Sequence, residues 1–259
     1  MKELLSHANG IITNHDICEM LENLGLKKGD HVCVHSELFT LGVPLLKKDE
    51  FLSEIIKCFW QIIGKNGVLI MPTFTYSFCK NLPFDNLKTP STMGVLTEFF
   101  RLQNKSLRSN DPIFSFTISG KNAKEYINDC KSCFGVGSVY DILFKNSGKI
   151  LHFGNAYKGF TFSHFLEEKL NIPYRYFKEF SGELIDENGI KQHKNILYFV
   201  RRLADRSILS VEKNVKILTN ANNFKVANLG GGNVSIMECK KYHDAIKSAL
   251  QDDKFALVI

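Results

Sequence analysis

The chain has 259 residues, 44% of them hydrophobic, and a formal charge of +6 from 33 basic and 27 acidic side chains. That is enough apolar material for one large domain with a sizeable core, and the basic residues are scattered without a block or interleaved aromatic motif, which argues against a nucleic-acid binder and leaves a mild preference for anionic small molecules. No apolar run approaches the ~18 residues of a membrane span and MKELLSHANG lacks a signal peptide's apolar stretch, so a cytoplasmic protein without a membrane partner is expected.

After GLKKGD, HVCVHSEL (31–38) reads as a strand, and DEFLSEIIKCFWQII (49–63) repeats apolar residues at helical spacing through Phe51, Ile55, Phe59 and Ile62. The turn GKNG leads into VLIMPTF (68–74), a continuous apolar run suited to a strand buried on both faces, and a Pro/Thr-rich loop through Ser91 precedes a helical MGVLTEFFRLQ (93–103). IFSFTIS (113–119) alternates as a strand, AKEYINDC (123–130) and SVYDILFKN (138–146) are expected as helices, KILHFG (149–154) as a strand, and FTFSHFLEE (160–168) as part of a helix. From about Tyr174 the pattern changes: YFKEFSGELI (176–185) and KQHKNILYFV (191–200) flank DENG and predict an antiparallel hairpin. NFKVANLGGGN (223–233), a helical MECKKYHDAIKSAL (237–250) and FALVI (255–259) complete the chain. Alternating β and α units followed by a hairpin predict an α/β fold, layered as a sandwich around a central mixed sheet, in a single domain spanning 1–259. GGG at 230–232 lacks the spacing of a nucleotide fingerprint and reads as a plain turn.

Seven cysteines, at 18, 33, 58, 79, 130, 133 and 239, are odd in number and sit in apolar segments, as reduced thiols do. Cys130 and Cys133 form a CxxC without a second pair, so no metal is expected. Three polar loops follow predicted strands, where α/β sheets place ligands: VHSELFTLG, MPTFTY and RSNDP. In FTFSHFLEE, Phe162, Phe165, Leu166 and Leu170 share one helical arc while Thr161, His164 and Glu168 gather on another, which on its own describes a boundary histidine of an amphipathic helix. Gly159 and Thr161 favour a helix start, putting His164 in a first turn, where the macrodipole favours a neutral, proton-accepting ring.

Taken in order, VHSELFTLG (34–42), LIMPTFT (69–75), PFD with TPSTMGVLTEFFR (83–101), RSNDPIFSFTISG (108–120), FTFSHFLEE, IPYRY (172–176) and GGN (231–233) resemble the aminoglycoside 3-N-acetyltransferase-like family of acyl-CoA-dependent N-acyltransferases. The resemblance covers nearly the whole chain. It implies an α/β sandwich around a mixed sheet, acyl-CoA as co-substrate, either acetyl-CoA or a hydroxyacyl-CoA, and His164 as general base; for the carboxylate that orients the ring, Glu168 and Glu167 are the local candidates and an acid distant in sequence is the alternative. It implies further that His35, Ser36, Glu37, Leu38, Thr73 and Ser109 serve the coenzyme, that Thr75, Asp111 and Thr161 border the acceptor, and that the protein forms a homodimer or works alone. Two departures stand out. Asp111 occupies the place of a histidine in the family's RSxHP-type motif, and GVGSVYDIL (135–143) replaces its Gly-x-x-Ser-Pro stretch, so no role passes to Ser138.

The expected chemistry is direct acyl transfer to an amine, with no acyl-cysteine intermediate. A site for polycationic aminoglycosides should be rich in carboxylates, whereas this chain carries +6 and few acidic clusters. The first expectation is therefore an amine on a nucleotide-linked 3-amino-3,6-dideoxy sugar, with dTDP as the nucleotide. Aminoglycoside modification is the second, and a non-catalytic CoA- or nucleotide-binding module the third.

Overall fold

The computed structural model describes residues 1–203 and 206–259. The chain opens with a hairpin, β1 (Glu3–His7) and β2 (Gly10–Thr13), and enters α1 (Asn14–Asn23) through a capping box in which Thr13 accepts from the Asp16 N–H and the Asp16 carboxylate accepts from the Thr13 N–H. β3 (His31–Ser36) is followed by the short β4 (Val43–Pro44), which pairs with β1, and then by α2 (Lys48–Ile63) and β5 (Val68–Pro72). β6 (Phe84–Asp85), α3 (Val95–Arg101), β7 (Leu107–Arg108) and β8 (Phe116–Gly120) come next, then α4 (Val139–Lys145), β9 (Lys149–Gly154) and α5 (Phe162–Lys169). The long hairpin of β10 (Arg175–Ile185) and β11 (Lys191–Arg201) precedes α6 (Val211–Asn220), β12 (Lys225–Leu229), β13 (Gly232–Glu238) and α7 (Cys239–Asp252).

Seven strands form the central sheet in the order β12-β13-β9-β3-β5-β8-β7, parallel at β9-β3-β5 and antiparallel outside, so the sheet is mixed. Strand period decides which side chain enters which layer. Val32, Val34, Leu69, Met71, Leu151 and Phe153 face α1 and α2, while Cys33, Ile70 and Ile150 face a second core built from α4, α5, α7 and the hairpin. The continuous apolar run VLIMP is thereby explained, since β5 is buried at every position.

Expectation and structure part company in a few places. AKEYINDC forms only a turn of 3-10 helix at Ala123–Tyr126, because the backbone beyond it is captured by the open edge of β11: the Leu197 N–H donates to Lys131 O and the Cys133 N–H to Leu197 O, both at 2.9 Å. The strand expected over 113–119 begins its regular pairing only at Phe116, after a bend at Asp111. The first hairpin, α1 and α6 were not anticipated. GGG is a turn between β12 and β13, and Gly230, at φ +60°, lies so close to Leu41 that any side chain there would overlap its carbonyl.

Candidate active site

The parallel strands β3, β5 and β9 end on one side of the sheet, the usual position of a ligand site in an open α/β sheet. A cavity of about 350 Å³ opens there, lined by His35, Ser36, Glu37, Leu38 and Phe39 after β3, by Pro72 of β5, by Thr92–Thr97 ahead of and within α3, and by Asn155, Lys158 and Gly159 after β9. Its volume lies within the range of small-molecule sites. Gly94, at φ +116°, faces open space where a Cβ would stand, so a ligand can approach the backbone at this point. Glu37 is not a bare anion in this setting: its carboxylate accepts from Lys158 Nζ at 2.9 Å and from Asn155 Nδ2 at 3.1 Å, and the Lys158 hydrogen bond holds it below the ordinary carboxylate range. His35 is buried, its Nε2 lies 3.0 Å from Tyr140 Oη, and burial with the neighbouring His152 pushes its pKa down to about 3. It is an uncharged wall of the cavity.

His164 occupies a second cleft, of about 440 Å³, between the start of α5 and the hairpin. It is the third residue of α5, and its side chain retains 22% exposure. Its Nδ1 lies 2.9 Å from Glu167 Oε2, and Glu167 is wholly buried. Burial alone would raise the Glu167 carboxyl, but the hydrogen bond from His164 and the charges of His164 and Arg175 outweigh it and hold the group below its ordinary value. A buried carboxylate on Nδ1 fixes the ring and leaves Nε2 as the nitrogen able to exchange a proton with a ligand. Arg175, at the first position of β10, also approaches this pair, with Nε 2.9 Å from Glu167 Oε2. Tyr176, Lys178, Phe180, Tyr198, Val200 and Arg201 continue the lining, and no carboxylate occurs among the described lining residues.

The two clefts are joined through rings. Tyr140, hydrogen-bonded to His35, stacks on Phe134 with centroids 5.8 Å apart, and Phe134 lies 5.8 Å from the ring of His164.

Several residues singled out in the sequence lie elsewhere. Glu168 turns away from His164 and accepts from Ser132 Oγ at 2.8 Å, and burial pushes its carboxyl up to about 6. Thr73 is fully buried, its hydroxyl donating to Ser115 O, and Thr75 donates to Pro112 O, so both knit the loop internally and neither lines a cleft. Ser109 accepts from the Phe116 N–H. Asp111 spends Oδ1 on the N–H groups of Ile113 and Phe114 at 2.8 and 2.7 Å, a capped turn; with Ser109 it borders a separate cavity of about 20 Å³, roughly a single water's room, rather than the cleft of His164. Thr161 already has helical dihedrals and makes no side-chain cap, because the N–H groups of Ser163 and His164 donate to the Phe160 and Thr161 carbonyls instead. Conversely, Phe39, Thr92–Thr97 and the basic hairpin residues were not singled out. Arg175 stood in the quoted IPYRY segment, but nothing local in the sequence links it to His164.

The aminoglycoside 3-N-acetyltransferase family matches residues 33–251, most of the chain. The protein belongs to this family. It is thus a CoA-dependent acyltransferase that acylates an amine. The SPbeta prophage-derived aminoglycoside N(3')-acetyltransferase-like protein YokD of Bacillus subtilis (strain 168) is 26% identical over 199 residues, covering 68% of this chain and 71% of YokD. The crystal structure of YokD from Bacillus subtilis superposes with a TM-score of 0.75 at 22% identity, over 93% of this chain and 94% of that one. The fold is also that of AAC-IIIb in a binary complex with CoASH (TM-score 0.78, 20% identity, 93% and 97% coverage) and of AAC-VIa bound to sisomicin (0.80, 17%, 93% and 98%). Among the described residues, no helix is long and apolar enough to cross a membrane, and no three His, Cys, Asp or Glu side chains converge as metal ligands.

Proposed function

We propose that this family member acylates the amine of an anionic acceptor, a nucleotide-linked 3-amino-3,6-dideoxy sugar such as a dTDP sugar, by direct transfer from acyl-CoA with His164 as general base. The observation that carries the reading is the charge of the cleft around His164: Arg175, Lys178 and Arg201 line it, and no carboxylate does so among the described residues. A polycation entering such a cleft meets like charge, whereas a diphosphate gains attraction from Lys178 and Arg201. The cleft holding His35, Ser36, Glu37 and Leu38 is assigned to the coenzyme, with the backbone around Gly94 available to it.

Acyl-CoA supplies the activated thioester carbonyl. In the reaction the amine nitrogen forms a bond to that carbonyl carbon, the carbon–sulfur bond breaks, and the proton shed by nitrogen passes to His164 Nε2 and from there to the departing thiolate. Glu167 orients the ring and stabilises the imidazolium that forms. A thiol-release assay crossing acetyl-CoA and hydroxyacyl-CoAs with aminoglycosides and with nucleotide-linked amino sugars tests this. Turnover is expected with the nucleotide sugars, with an acceptor KM that rises with salt and with inhibition by free dTDP against the sugar beyond its competition with CoA. Efficient acylation of kanamycin-like compounds, with none of nucleotide sugars across several bases and amine positions, overturns it in favour of antibiotic modification, the reading favoured by the family's own description. Absence of release with every pair points to a binding module.

A further inference from the structure

The guanidinium of Arg175 touches both members of the His164–Glu167 pair. Nε is 2.9 Å from Glu167 Oε2, Nη2 is 3.0 Å from His164 Nδ1, and Nη1 donates to Phe199 O at 3.1 Å. Its side chain is only 3% exposed, so it is committed to this cluster rather than offered to a ligand, in contrast to Lys178 and Arg201 on the same cleft. The carboxylate beside it has no exposure at all. A carboxyl group placed there without a compensating cation would take up a proton instead of remaining ionised, and a neutral acid no longer stabilises an imidazolium.

We propose that Arg175 is a positioning residue for the acyl transfer: its guanidinium keeps Glu167 ionised beneath His164, so that the carboxylate orients the ring and offsets the charge it takes on with the amine's proton. The inference rests on His164 being the base. The groups facing the pair are few. Glu167 comes from α5 itself, Arg175 from β10, and Tyr198 from β11, its ring 6.4 Å from that of His164. Tyr174 borders Glu167 from the segment before β10 and Tyr242 from α7, and burial keeps both phenols protonated well beyond neutral pH. Glu167 Oε1, Tyr174 Oη and Arg175 Nε are buried without a hydrogen-bond partner, so the contact of Nε with Oε2 is an ion pair rather than a hydrogen bond; among the described residues, the cationic side chains on the carboxylate are Arg175 and, when protonated, His164.

Without Arg175 the buried Glu167 carboxyl ionises only at higher pH, which moves the acid limb of the kcat/KM profile upward. Removing the carboxylate moves it the other way, because the imidazolium loses its counter-charge. The test is the pH–rate profile of Arg175→Met, Arg175→Lys and Glu167→Gln, followed by thiol release. Expected are a rise of the acid limb in Arg175→Met, a fall in Glu167→Gln, a turnover loss of roughly 10–100-fold at neutral pH in Arg175→Met with both KM values within about threefold, and a smaller shift in Arg175→Lys, which retains the charge but not the fork. A folded Arg175→Met with an unmoved limb overturns the proposal. If that variant does not fold, Arg175→Gln, which keeps a polar side chain without the charge, takes its place, and an unmoved acid limb in it overturns the proposal equally. His164→Gln separates the two readings: turnover within threefold of wild type removes the base assignment, while an inactive His164→Gln beside unmoved Arg175 profiles removes only the role of Arg175.

Discussion

Glu167 and Glu168 are neighbours in sequence, three and four residues beyond His164, and either spacing brings a side chain near the imidazole on a helix. The structure separates them, with Glu167 beneath the ring and Glu168 on Ser132. Glu167→Gln is therefore expected to lose roughly 10–10³-fold in kcat, the scale of a misoriented base, and Glu168→Gln to stay within about threefold; steady-state thiol release at neutral pH measures both. Replacing His164 by Ala is expected to cost roughly 10²–10⁴-fold in turnover while CoA binding, followed by calorimetry, is retained. Under the proposed direct transfer no thiol takes part. Burial raises Cys33, Cys133 and Cys239 far above the range of a reactive thiolate, and Cys130 to about 11. Cys79→Ala and Cys130→Ala should leave transfer intact, and intact-protein mass spectrometry under turnover should find no acyl adduct.

At the level of elements, the loops after β5, around β6 and before β8 are held in one arrangement by Arg108. Its guanidinium donates to Thr73 O at 2.9 Å, to Asn86 O at 3.0 Å, to Thr89 O at 2.6 Å and to Ser115 Oγ at 3.1 Å. This is why the PTFT hydroxyls turn inward: the loop is organised around a buried cation, not around a ligand. Arg108→Met would take this donor from the Asn86 and Thr89 carbonyls, while Thr73 O keeps Ser115 Oγ, and urea unfolding should register a loss of roughly 1–3 kcal/mol for each acceptor left unpaired. The hairpin β10–β11 shows the opposite relation between sequence and element. Its eleven paired positions, from Arg175↔Arg201 to Ile185↔Lys191, follow from a turn at DENG and two runs of matched length. The cleft beside His164 exists because this hairpin also crosses α5, a contact between segments whose local patterns are independent.

For the molecule as a whole, the buried histidines set the response to acid. Burial pushes His35 down to about 3 and His152 down to about 4, against about 6.5 in an unfolded chain. Both are neutral in the folded state, so their contribution is complete above about pH 6.5 and is lost progressively as pH falls toward 4 and 3, where the unfolded chain takes up protons the folded one refuses. Glu168, raised to about 6, acts in the opposite sense, its ionisation costing stability above that pH and the cost fading as it protonates. Three histidines lowered by burial, His31 with His35 and His152, outweigh the two carboxyls that burial raises, Glu168 and Asp111. The melting temperature should therefore fall between pH 6.5 and 4, and His152→Gln, if it folds, should flatten that slope in a thermal-shift series.

The elements that periodicity alone determines are those whose burial is one-sided or complete over a continuous run: β3, α2, β5, β9, the hairpin and the helix bearing His164 all follow from spacing of apolar residues, and the mixed α/β layering follows from their order. The HSEL loop, which lines the first cleft, was legible for the same reason, since a buried strand must end where its polar residues begin. What tertiary structure decided was every choice between local equals. Thr73 and Thr75 of PTFT received ligand roles from the resemblance, and their commitment to backbone groups depends on segments 42 and 37 residues away, whereas Asp111, given its role in the same way, is committed locally to the N–H groups two and three residues on. The helix expected at 123–130 yielded to the edge of β11, which offered its backbone better-placed partners. The carboxylate beneath His164 was settled by Arg175, eleven residues downstream of the histidine on another element, because a charge is stable in the interior only where the fold delivers its counter-charge.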